Sequence, residues 1–136
     1  MELEEIKELK VPSADNAILF LWSPAPKLEE ALQIINSWGF TYRSGCVWDK
    51  ELIGMGYYFR GQHEHLLVGI KGEFPAPEDS LRESSVYREK RAVHSKKPEH
   101  FYDLIEKYYP NGKYLELFAR QKHNEKWTVW GNQVKP

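Results

Sequence analysis

This 136-residue sequence has a single cysteine, Cys46, which excludes an internal disulfide and suits a reducing compartment. It has no apolar run near the roughly 20 residues that a bilayer-spanning helix needs. It also lacks a targeting composition, because the first ten residues hold four glutamates and two lysines. The expectation is therefore a cytoplasmic protein with no membrane partner. A net charge of −1 does not by itself predict a nucleic-acid partner. No internal repeat, low-complexity tract or second-domain boundary is evident. With 41% hydrophobic and 14% aromatic residues, the chain can bury one modest core, so residues 1–136 are expected to form a single domain.

Periodicity and punctuation predict an α/β fold. Residues 17–22 are continuously apolar, as expected of a strand buried on both faces of a parallel sheet. Pro24 and Pro26 stop that strand. Leu28, Ala31, Leu32, Ile35 and Trp38 then recur at helical spacing until Gly39, predicting a helix over 28–38. Residues 42–48 and 65–70 read as two further strands around a Gly-rich connection containing Gly54, Gly56 and Gly61. Residues 72–94 show no period and read as a long loop. Pro98 opens a helix over 98–109 whose buried face is Phe101, Leu104, Ile105 and Tyr108. Residues 114–118 form a short apolar strand.

That last strand turns polar within two residues, presenting Arg120, His123 and Asn124, and the chain then runs to Trp130-Gly-Asn-Gln133. Open α/β sheets hold ligands beyond the carboxyl ends of their strands, so this is the expected binding region. Glu116, inside the strand, needs a partner if buried; it either organises a site or pairs with Arg120 on the same strand face. Residues 82–97 carry Arg82, Arg88, Lys90, Arg91, Lys96 and Lys97 against Glu83 and Glu89, a local basic run that can track phosphates or simply be solvated. Tyr57, Tyr58 and Phe59 offer a stacking surface for a splayed base, or core packing at a sheet edge. His63 and His65 project to one strand face, but no Cys or Asp cluster completes a metal site, so no metal is expected. Trp22-Ser-Pro-Ala-Pro26, at a strand end, has no carboxylate and is rejected as a catalytic motif.

In order and spacing, several segments resemble the adenine-N6 methyltransferases of the MT-A70 family. They are Leu19-Phe-Leu-Trp22, Trp38-Gly-Phe40, Val47-Trp48, Gly56-Tyr-Tyr-Phe-Arg60, Gln62-His-Glu64, Leu67-Val-Gly69, His94-Ser-Lys-Lys-Pro98, Leu115-Glu-Leu-Phe-Ala-Arg120 and Trp130-Gly-Asn-Gln133. The resemblance implies a Rossmann-like methyltransferase sheet with flanking helices, with the 114–118 strand central and parallel to 17–22. It implies S-adenosylmethionine as cofactor and adenine in DNA or RNA as acceptor. Lys97 would meet the methionine portion or line the reaction cavity. Arg120, His123, Asn132 and Gln133 would hold the cofactor's ribose and adenine, and Phe118 would form an apolar wall. Tyr57, Tyr58, Arg60, His63, Arg88, Arg91 and Lys96 would face the nucleic acid.

The family's catalytic signature, Asp-Pro-Pro-Trp, is not in this sequence, so no catalytic residue is assigned and the sheet is expected to lack the strand that bears it. Three readings follow. The chain is a partial or impaired methyltransferase whose start lies further upstream. Alternatively, it is a non-catalytic short form that binds cofactor or nucleic acid, or a subunit completed by a partner chain. The third is an unrelated small α/β binding module. Homo- or hetero-oligomerisation stays open.

Overall fold

A computed structural model describes residues 2–92, 96–118 and 122–130. The chain forms a mixed α/β fold in two compact units, residues 1–76 with 83–94, and residues 77–82 with 95–136.

The first unit is built on a four-stranded sheet of order β1-β3-β2-β4, with β1 Ala17–Pro24, β2 Thr41–Asp49, β3 His63–Lys71 and β4 Val86–Arg88. β3 pairs antiparallel with both β1 and β2, and β4 pairs parallel with β2. β1 and β2 therefore run in the same direction, joined by helix α2 (Leu28–Ser37), with β3 inserted between them. This corrects the expectation that residues 17–22 lie in a parallel sheet and are buried on both faces. β1 is an edge strand antiparallel to its neighbour, and its apolar side chains are half-buried. β3 takes the central place, with Leu66 and Leu67 each 3% exposed.

Helix α2 covers one sheet face through Ala31 and Ile35, which join Phe40 and Leu67 in the core, with Leu19, Leu21, Leu28, Leu32 and Trp38 packed around them. A Cβ at Gly69 would come within 3.1 Å of Ile35 and 3.2 Å of Phe40, so the glycine lets this face pack close to β3. The helix ends in a Schellman motif: Gly39 at φ +85 donates to the Asn36 carbonyl and Phe40 to the Ile35 carbonyl. A short helix α1 (Leu3–Glu8), which sequence patterning missed, is tied to α2 by the Trp38 indole N–H donating to the Ile6 carbonyl at 2.8 Å.

The stretch read as a long loop contains a turn of 3₁₀ helix at Asp79–Leu81 and the strand β4. β4, only Val-Tyr-Arg, is too short to show a pattern in the sequence, and it is held by pairing. Backbone bonds Val47 N–H to Ser85, Glu89 N–H to Asp49 and Arg91 N–H to Lys50 extend its contact with β2 beyond the strand itself.

The second unit contains α3 (Glu99–Tyr108) and a separate two-stranded parallel sheet of β5 (Tyr114–Leu117) and β6 (Trp127–Trp130). The expected placement of 114–118, central and parallel to 17–22 in one sheet, is therefore corrected. β5 ends one residue earlier and pairs with β6, whose four residues were too short a run to be read as a strand. No helix among the described residues is long and apolar enough to cross a membrane.

Candidate functional site

The second unit gathers polar and aromatic groups just beyond β5. Glu116, on that strand, accepts a hydrogen bond at Oε2 from the Tyr102 hydroxyl of α3 at 2.6 Å. Its Oε1 is buried and has no hydrogen-bond partner among the described residues. Burial pushes the Glu116 carboxyl above the ordinary carboxylate range, partly offset by the Tyr102 hydrogen bond and by His123. The same burial, with Glu116 beside it, raises the Tyr102 phenol. Of the two readings open for Glu116, the Arg120 pairing falls on a residue outside the described ones; Tyr102 is the partner on view.

Tyr102 also lies flat against His123, with ring centroids 4.5 Å apart. Trp127 stands edge-on to Tyr102 at 5.2 Å and stacks on Tyr114 at 5.0 Å. His123 Nδ1 meets Glu99 Oε2 at 2.5 Å, and Nε2 meets Asp103 Oδ1 at 3.1 Å and Glu106 Oε2 at 3.7 Å. Both ring nitrogens can donate to these carboxylates only when the imidazole is protonated. Glu106 also accepts from the Trp127 indole at 3.0 Å, the Asn124 amide at 2.9 Å and Lys126 Nζ at 3.3 Å. These donors, Trp127 foremost, hold its carboxyl below the ordinary range.

The ligand atoms of Asp103, Glu106 and His123 lie within 4.8 Å of one another, close enough to suggest a metal. Glu106, however, already accepts from three donors and His123 faces three carboxylates, so the group is accounted for as an ion-pair and hydrogen-bond network. Sequence reasoning missed the α3 contribution. The available signal was spacing: Glu99, Tyr102, Asp103 and Glu106 recur at three and four residues, which puts them on one helix face.

Phe118, the expected apolar wall, follows β5 with φ +59 and is half-exposed. A non-glycine residue in this left-handed region stores strain of about 1–3 kcal/mol, a feature that clusters at binding sites. Lys97 is half-buried and Lys96 exposed, both in this unit. Arg120, Asn132 and Gln133 lie outside the described residues, as do His94 and Ser95.

The residues expected to face nucleic acid fall mostly in the first unit. Tyr57 and Tyr58 are fully exposed, and Phe59 nearly so, which rules out the core-packing reading for them. His63, at the start of β3, stands edge-on to His65 at 5.1 Å. Burial, then His63, lowers the His65 pKa. Asp49 accepts from Gln62 at 3.0 Å and from the Glu51 backbone at 2.9 Å, and it meets Arg88 at 3.5 Å. The Gln62 bond is the main reason that its carboxyl stays below the usual range. Glu64, 8% exposed, pairs with Lys50 at 3.4 Å. Ser23, within the rejected proline segment, is buried and donates to the Pro24 carbonyl, consistent with a structural role.

Comparison with known proteins supplies a name for the group. The chain is 36% identical over 137 residues to the type II methyltransferase M.MunI of Mycoplasma sp, an alignment covering 98% of this chain and 58% of that protein. It is 31% identical over 142 residues to the N(6)-adenosine-methyltransferase MT-A70-like protein of Arabidopsis thaliana, covering 96% of this chain and 20% of that one. It is 30% identical to the N(6)-adenosine-methyltransferase catalytic subunit METTL3 of Homo sapiens, covering 96% of this chain and 24% of that protein. The chain thus spans a little over half of the first relative and about a quarter or less of the other two. The MT-A70 family model matches residues 1–133, and the chain belongs to that family.

Proposed function

We propose that residues 1–136 are one partial methyltransferase domain that binds S-adenosylmethionine and takes part in methylating adenine N6 in DNA or RNA. The observation that carries this reading is the family match over 1–133. When bound, S-adenosylmethionine supplies an electrophilic methyl group to the adenine amine, and the departing sulfur takes the bond's electrons. The residues of this chain bind and orient. Glu116 Oε1 is a buried acceptor with no donor among the described residues, a fit for a ribose hydroxyl or an ammonium group. Arg120, His123, Asn132 and Gln133 hold the ribose and adenine, Lys97 the methionine portion or the reaction cavity, and Phe118 the apolar side.

Asp-Pro-Pro-Trp is not among these residues. With neither its carboxylate nor its proline carbonyl to orient the amine, we expect these residues alone to transfer methyl groups slowly. Orientation can contribute about 7–11 kcal/mol of barrier lowering, so losing part of it costs several orders of magnitude in rate. The test compares methyl transfer from labelled S-adenosylmethionine by this chain and by a chain extended to carry the signature. Equal rates would overturn the assignment of orientation to that motif. The same absence favours a second reading, a cofactor- or nucleic-acid-binding form completed by another chain. It predicts binding without transfer until that chain is added.

A further inference from the structure

The first unit carries a feature that contains none of the residues assigned above to the cofactor. Residues 50–62, between β2 and β3, fold into a hairpin closed by Lys50 N–H to Gln62, Gly54 N–H to Gly61 and Gly61 N–H to Met55. At its tip the backbone turns so tightly that a Cβ at Gly56 would lie 2.0 Å from the Phe59 carbonyl oxygen. The tip presents Met55, Tyr57, Tyr58 and Phe59, all 87% exposed or more. A hydrogen-bonded stem carrying adjacent bare aromatic rings is an exposed apolar patch of the kind that marks a binding surface.

The basic run lies against this stem. Glu89 N–H donates to Asp49 and Arg91 N–H to Lys50, so the Arg88–Arg91 backbone tracks the base of the hairpin. Arg88 is turned to Asp49, and Lys50 to Glu64, which makes those cations part of the stem. Lys90 and Arg91, with Arg60 near the tip, are exposed. Aromatic rings at the tip of a stem whose base carries exposed cations match the combination by which proteins hold single strands: bases stack on rings while phosphates follow a positive track. In a duplex the base faces are already stacked on one another, so rings at a convex tip have no faces to meet. The cations also favour a polyanion over an apolar protein surface.

We propose that the 50–62 hairpin and the Arg88–Arg91 run together form a binding surface for an unpaired nucleic-acid strand. The inference deepens the proposed function, resting on its nucleic-acid acceptor, and assigns the acceptor's single-stranded form to this surface.

The test is fluorescence anisotropy of the full 136-residue chain with labelled oligothymidylate, which has no adenine, and with a duplex of equal length. The single strand should bind about tenfold or more tightly than the duplex. Tyr57→Ser/Tyr58→Ser/Phe59→Ser should weaken single-strand binding at least about tenfold, with circular dichroism confirming an unchanged fold. Lys90→Ala/Arg91→Ala should lower the salt dependence by roughly 1.4 in log–log slope. Wild-type affinity in the tip variant, or a preference for duplex, would overturn the proposal. So would a tip variant that only converts a self-associated wild type to monomer, since the tip would then be a protein interface. Titration with S-adenosylhomocysteine separates the two readings. Cofactor binding without strand binding overturns this inference alone, whereas strand binding without cofactor binding overturns the proposal that these residues bind S-adenosylmethionine.

Discussion

Tyr102 and His123 lie ring on ring, 4.5 Å between centroids and 9° between planes, while the Tyr102 hydroxyl reaches past the histidine to Glu116 Oε2 at 2.6 Å. One side chain of α3 thereby holds both a strand carboxylate and a loop imidazole. Tyr102→Phe keeps the stacking and removes the only hydrogen bond to that carboxylate among the described residues. The expected outcome is a loss of about 1–3 kcal/mol of stability, read by urea unfolding. A wild-type midpoint would show that the hydrogen bond contributes nothing net.

The pH dependence has two opposite parts. Asp49 and Glu106 are held below the ordinary carboxylate range, by hydrogen bonds from Gln62 and Trp127 respectively. The stability they contribute is full above that range and lost as pH falls through their depressed values. Glu116 is raised by burial, so its protonated form is favoured in the folded state and stability falls as pH rises from the ordinary value to the raised one. Glu116→Gln keeps an acceptor for Tyr102 and removes the charge. Its melting temperature relative to wild type should therefore be higher at neutral pH than at about pH 4. A difference that is flat across that interval would contradict the buried-carboxylate account.

Glu106→Ala should destabilise more than most surface changes, because the indole of the buried Trp127 loses its acceptor at 3.0 Å. Leaving a buried donor unpaired costs about 1–3 kcal/mol. Chemical denaturation measures the loss, and Glu106→Gln should recover part of it by accepting from the indole.

In the first unit, Ile35 is fully buried and Gly69 sits beneath it. Ile35→Ala should cost about 2–5 kcal/mol through the cavity it leaves. Gly69→Val should cost about 1–3 kcal/mol by overpacking against Ile35 and Phe40. Thermal unfolding of the two variants tests whether this face is packed as tightly as the distances indicate.

Burial, reinforced by Glu83, pushes the Cys46 thiol up to about 11. Little thiolate exists at neutral or mildly alkaline pH, so a disulfide reagent at about pH 8 should label the folded chain much more slowly than the urea-unfolded chain. Equal rates would mean that the thiol is open to solvent.

What the sequence by itself determined is local. The spacing of Leu28, Ala31, Leu32 and Ile35 and the glycine at 39 define α2 almost to the residue, because helix periodicity and its left-handed stop are encoded within one turn. The ordered motifs from Leu19 to Gln133 likewise carry the family, since they record residue types rather than positions in space. Strand partners were not legible in the same way. The apolar run at 17–22 announces a buried strand equally well whether its neighbour is parallel or antiparallel. Only long-range closure inserted β3 beside it and gave β5 a partner in β6. The same holds for the sites. The 50–62 hairpin and Arg88–Arg91 are separate in sequence, and Arg88–Arg91 reaches the base of that hairpin only because β4 pairs with β2. His123 finds Glu99, Asp103 and Glu106 only because α3 turns that face toward the loop beyond β5. Periodicity tells which face of an element is hidden from water; which element hides it is decided by packing among residues distant in the chain.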